Sequence, residues 1–181
     1  MQTVQPIRDK NDIEKMKNVL KKDSYRNYMI FLLGINTGLR ISDLLKLKAE
    51  DIRGKTHITI TEQKTKKIKR FFINPQLKKE LDKYILEMED VEYLFKSRNN
   101  ANKPITRVQA YRILNKAAQK VGLNEIGTHS LRKTFGYFHY RKHKDVALLQ
   151  NLFNHSAPSV TLRYIGINQD VMDESIQDFF L

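Results

Sequence analysis

The sequence predicts a mainly α-helical domain carrying one small antiparallel β-sheet, an α+β fold, and three observations support this. Apolar residues recur at helical spacing through most of the chain. One stretch, His57-Ile58-Thr59-Ile60-Thr61, alternates and is β-branched, and a second apolar stretch lies near residues 68–73 beyond a lysine-rich segment. The 181 residues suffice for one well-packed domain and are short for two, and no repeat, low-complexity run or linker divides them.

The first helix is expected over residues 11–21, capped by Asp9 or Asn11, with Ile13, Met16, Val19 and Leu20 on one face. A more apolar helix follows over 24–36, and Gly38 is placed to end it. A short helix over 41–47 turns Leu44, Leu45 and Leu47 inward. The two strands then form a hairpin. Pro75 opens a helix reaching about residue 88 through Leu77, Leu81, Ile85 and Met88. Further helices are expected over 107–121, stopped by Gly122, and over 130–142, 145–153 and 158–164. A last amphipathic helix, over 168–179, carries Val171, Met172, Ile176 and Phe179.

Composition narrows the function. There is no Cys, which excludes disulfides and thiolate metal sites. No apolar run approaches the roughly 18 residues of a membrane helix, and the first residues lack the pattern of a signal peptide. A cytoplasmic protein is expected. The net charge is +13 and segregated: Lys64, Lys66, Lys67, Lys69 and Arg70 crowd into one segment, whereas residues 168–181 hold four acids and no Lys or Arg. Such segregation points to a polyanionic partner, nucleic acid first.

The chemistry lies in a scattered set. Arg40 follows Thr37-Gly38-Leu39; His129 and Arg132 stand three apart in His129-Ser130-Leu131-Arg132; His155 follows Asn154; Tyr164 comes nine residues after His155. Two arginines suit the non-bridging oxygens of a phosphodiester, histidines can hold or move protons, and a tyrosine oxygen can attack phosphorus. On a helix His129 and Arg132 share a face and can reach one phosphate. Flanking cations are expected to favour the Tyr164 phenolate. His139 and His143 have the i, i+4 spacing of metal ligands, but no Glu lies between them and no third ligand is evident, so no metal is assigned and both are read as surface residues. The glycines are scattered, so no nucleotide-cradling loop is present.

In order and spacing these segments resemble the tyrosine recombinase (phage integrase) family over about residues 7–166. The resemblance implies a single catalytic domain spanning 1–181, with 167–181 as a tail helix that docks on its own core or on a neighbouring subunit. It implies site-specific DNA recombination, as in the integration or excision of a mobile element. One strand is cut and rejoined through a 3′-phosphotyrosine intermediate, without metal, ATP or other cofactor. Arg40, Lys64, His129, Arg132, His155 and Tyr164 take the catalytic positions. Lys64, with Lys66 as second choice, matches the hairpin lysine that protonates the leaving 5′ oxygen. Asp43 matches an acid that braces the first arginine. Lys66, Lys67, Lys69, Arg70 and Lys133 are expected to contact DNA. Asn154 stands where the family usually has Gly, and Asn tolerates left-handed backbone geometry. The implied partner is double-stranded DNA, bound as a homotetramer by a chain that is monomeric alone. The family's N-terminal DNA-clamping domain is absent from this sequence. The rivals are a type IB topoisomerase, a non-catalytic DNA-binding module and, with least support, an RNA-binding domain.

Overall fold

A computed structural model of the chain describes residues 4–61, 68–99, 102–167, 174, 176, 177, 179 and 180. Helix α1 spans Lys10–Asp23, and the Asp9 carboxylate caps it by accepting from the Asn11 N–H at 2.8 Å. Helix α2, Tyr25–Thr37, is the axis of the molecule: nine of its thirteen residues are buried, as its unbroken apolar run requires. Gly38 ends it with φ +65°, a left-handed turn after which Leu39 stays in the core and Arg40 is exposed. Helix α3 covers only Ile41–Leu44. The chain beyond it tightens, with Lys46 and Leu47 donating to Asp43 and Leu44, and the Leu47 carbonyl then accepts from Leu94. Leu44, Leu45 and Leu47 are buried all the same.

Strands β1 (His57–Thr61) and β2 (Ile68–Phe72) pair antiparallel, from His57 opposite Phe72 to Thr61 opposite Ile68. Their inward residues Ile58 and Phe71 are buried, whereas Ile68 and Phe72 face outward. Helix α4 spans Pro75–Tyr84 and stops short of residue 88. The Arg53 guanidinium accounts for the early end. It donates to the Ile85 and Met88 carbonyls, satisfying them outside the helical ladder. Helix α5 follows over Arg107–Lys120, opened by a capping box between Thr106 and Gln109. Helices α6 (Thr128–His143), α7 (Val146–Phe153) and α8 (Pro158–Ile165) complete the described fold. The tail helix expected over 168–179 lies largely outside the described residues.

The apolar interior has two parts. The main one surrounds α2 and gathers residues from α1, α3, both strands, α4 and α5, with Met29, Ile30, Phe31 and Leu33 fully buried. A second, smaller cluster consists of Tyr137, Leu149, Phe153, Ile165 and Ile167, beneath α7 and α8. Helix α6 belongs to both, through Leu131 in the first and Tyr137 in the second. Its Gly136 permits close approach: a Cβ there would lie 2.6 Å from Ile165 and 2.9 Å from Phe153.

Candidate active site

Arg132 is the centre of the arrangement. Its guanidinium is 5% exposed and donates to the Gly38 carbonyl at 2.5 Å and the Phe153 carbonyl at 3.1 Å. Its Cζ lies 4.1 Å from the centroid of the Phe153 ring. Arg132 also acts on the Tyr164 phenol, favouring its ionised form. One side chain thereby joins the turn before Arg40, the end of α7 before His155, and the tyrosine on α8. A buried cation is tolerated because its fork of N–H donors is satisfied.

Arg40 is the residue that begins α3, with φ −65° and ψ 141°, and its side chain is exposed. The left-handed turn at Gly38 places it there. Asp43 donates its backbone N–H to the Arg40 carbonyl at 2.9 Å. His129 sits in the first turn of α6 at the surface. Its imidazole is held below the ordinary value by desolvation first, then by Lys133, Arg132, Arg40 and Arg107.

On the other side, Asn154 closes α7 in left-handed geometry, φ 57° and ψ 46°. This is the conformation for which Asn substitutes for Gly. His155 follows, half-buried, with Nδ1 3.0 Å from the Thr161 hydroxyl. The Tyr164 ring lies edge-on to His155 at 5.1 Å between centroids and edge-on to Phe153 at 5.7 Å. Burial lowers the His155 pKa, and Arg132, Arg40 and Lys69 lower it further. Both histidines are therefore neutral at pH 7.

The Tyr164 phenol corrects an expectation. Its pKa is raised: burial pushes it up, and the opposing pull of Arg132 and Arg40 does not overcome that. In the protein alone the tyrosine is a protonated phenol.

Lys133 requires a second correction. It is 8% exposed, and its ammonium donates to the Val4 carbonyl at 2.8 Å, so it is no surface contact for DNA. Helical spacing did not reveal this, since residue 133 stands four positions from His129 and so beside it on the helix. It lies instead with Ser130, Thr134 and Tyr137, all buried. Lys69 is also engaged, donating to the Asn151 and Leu152 carbonyls at the end of α7, at 3.2 and 3.1 Å. The hairpin therefore reaches the turn that holds His155. Arg70 is exposed beside His57, 3.5 Å from its Nδ1. Lys64, Lys66 and Lys67 lie outside the described residues.

His139 is half-buried rather than a plain surface residue, with its ring 4.7 Å from that of His143. Sequence reasoning also passed over Thr161 and Arg107, which act on His155 and His129. Thr161 was findable, lying three residues before Tyr164 and so on its side of α8. Among the described residues, no helix is long and apolar enough to cross a membrane.

The phage integrase family model matches residues 8–170 of this chain. The chain belongs to the phage integrase family. Among its relatives is a protein of Bacillus subtilis (strain 168) named "Probable integrase/recombinase YoeC", 51% identical over 170 residues, covering 94% of this chain and 93% of the relative. The tyrosine recombinase XerA of Pyrococcus furiosus is 30% identical over 169 residues, 92% of this chain and 59% of the relative. This integrase-family chain thus spans nearly all of the first relative and about six tenths of the second. In fold it is similar to the crystal structure of XerA recombinase, with a TM-score of 0.75 and 22% identity, over 97% of this chain and 65% of that one. It is likewise similar to XerH site-specific recombinase bound to palindromic difH substrate, a post-cleavage complex. There the TM-score is 0.77 at 20% identity, over 97% of this chain and 54% of that one. Membership places the chain among the DNA strand-transferring integrases and recombinases.

Proposed function

We propose that this chain cleaves and rejoins DNA at specific sites, with Tyr164 as nucleophile. The observation that carries the reading is the convergence on Arg132. Its guanidinium is fixed by carbonyls from both neighbouring motifs and lies over the Phe153 ring, on whose edge the Tyr164 ring packs. In this reading Arg40 and Arg132 bind the non-bridging oxygens of the scissile phosphate and stabilise charge as phosphorus becomes five-coordinate. The Tyr164 oxygen attacks phosphorus and the bond to the 5′ oxygen breaks, leaving a 3′-phosphotyrosyl ester and a free 5′ end. That 5′ oxygen takes a proton, for which Lys64 is the proposed donor. A 5′ hydroxyl of a partner strand then attacks the ester, and the phenol leaves with a proton.

The raised phenol pKa makes proton removal part of the reaction. The Thr161 hydroxyl donates to the Ala157 carbonyl at 3.5 Å, which leaves its oxygen to accept from His155 Nδ1–H. Nε2 of His155 then keeps a lone pair, suited to accept a hydrogen bond or a proton within the phosphate site. His129, neutral as well, hydrogen-bonds the phosphate from the start of α6. Asp43 braces Arg40, and Arg70, with Lys66 and Lys67, follows the DNA backbone. Double-stranded DNA is the proposed partner, with four copies acting on two duplexes.

The test is covalent trapping on a pool of nicked duplexes with a randomised core, followed by sequencing of the strands attached to protein. Wild type should yield an enriched site on a protein–DNA band that survives denaturation. The Tyr164→Phe variant should bind duplex equally and yield no such band. Attachment that persists in Tyr164→Phe would refute the assignment, and duplex binding with no attachment in either protein would favour a binding module.

A further inference from the structure

We infer that Lys133 is a positioning residue for Tyr164, seating the phenol ring by its face and tying the nucleophile to the chain segment at residues 4–8. The Lys133 ammonium lies 5.2 Å from the Tyr164 ring centroid and 2.8 Å from the Val4 carbonyl oxygen. An ammonium is strongly hydrated, and removing it from water is unfavourable unless polar groups replace that water. Here a carbonyl and the face of an aromatic ring do so. No carboxylate is among the contacts described for it, and burial with the nearby Arg8 holds its pKa below the ordinary lysine value. An apolar chain of the same length would fill the same space, so packing alone does not account for a charge at this position.

The segment that supplies the carbonyl is itself fastened. Val4 packs against Gly127, where an added Cβ would lie 3.1 Å from Val4 Cγ1. The Gln5 N–H donates to the Glu125 carbonyl at 2.9 Å, and the Ile7 N–H donates to the buried Thr134 hydroxyl at 2.9 Å. Arg8 donates to the carbonyl of Gly166, the residue that caps α8, at 3.2 Å. The segment therefore reaches α8 at two places, its end through Arg8 and its tyrosine ring through Lys133. The other sides of that ring meet Phe153 and His155. Lys133 completes the seat.

This inference rests on the reading of Tyr164 as nucleophile only for its effect on rate. Its test uses the full chain with tyrosine labelled by ¹³C at Cζ, the Tyr164 resonance being assigned through Tyr164→Phe. Lys133→Met keeps the bulk and removes the charge and the donor. Lys133→Gln keeps a donor for Val4 and removes the charge alone. The Tyr164 resonance should shift and broaden in Lys133→Met, and shift by less in Lys133→Gln. On the trapped duplexes, attachment at saturating DNA should slow about tenfold in Lys133→Met, with duplex affinity unchanged, as expected for a displaced nucleophile. A folded Lys133→Met with the wild-type resonance would overturn the inference. So would failure of both variants to fold, which would make Lys133 a requirement of the fold instead. If the resonance moves while wild type never attaches to DNA, the seating stands and the recombinase reading fails.

Discussion

The two halves of the site rest on foundations of different size. Arg40 emerges from the main interior, where α2 is packed on all sides and Gly38 fixes the direction of the exit. His155 and Tyr164 rest on five buried residues beneath α7 and α8, joined to the rest largely through α6. Arg132 spans the division, bonded to Gly38 on one side and to Phe153 on the other. Local stability follows the number of buried contacts, so a half held by few of them opens more readily than the whole molecule. The half bearing Arg40 thus has the larger foundation, and the half bearing His155 and Tyr164 is expected to open first.

The sharpest way to break this arrangement is Arg132→Lys. A point charge on a shorter donor set cannot hold both carbonyls and a phosphate, and attachment should fall about 10²–10³-fold in single-turnover trapping, on the scale of losing one preorganised donor. Phe153→Ala should remove about 3–5 kcal/mol, with the loss confined largely to the smaller cluster. Hydrogen exchange should then rise in α7 and α8 while α2 stays protected; equal loss in both would show the halves to be one cooperative unit. Thr161→Val should remove about 1 kcal/mol together with the partner of His155 Nδ1. Attachment should then change its dependence on pH between 5 and 7, while the mutant keeps wild-type affinity for duplex.

The smallest effect is on stability itself. His129, His139 and His155 all have pKa values below the ordinary one in the folded chain. Between those depressed values and about 6.5 the unfolded chain binds more protons, so stability rises with pH through that window and levels off above it. Urea midpoints should follow that curve, and His155→Asn should flatten part of it. A curve that fell as pH rose through the window would contradict the lowered pKa values of these rings.

Much of this was legible in the sequence, because the signals were local. Strand His57–Thr61, the Asp9 cap and the Gly38 turn each depend on a few adjacent residues, and each is found where residue chemistry puts it. Asn154 in left-handed geometry was legible for the same reason. What was not legible depends on residues distant in sequence. Arg53 ends α4 from thirty-two residues away, and Lys69 reaches α7 across eighty-two. The Tyr164 pKa was misjudged because its neighbouring cations could be counted from motifs, whereas its burial by Phe153 could not. Lys133 was misplaced because charge was read as surface, although its position on α6 faces inward.

The bond between Arg8 and Gly166 joins residues 158 apart in the chain. The earliest and latest stretches of the described fold are thereby latched together at the end of the helix that bears Tyr164, so neither can come away there without freeing the other.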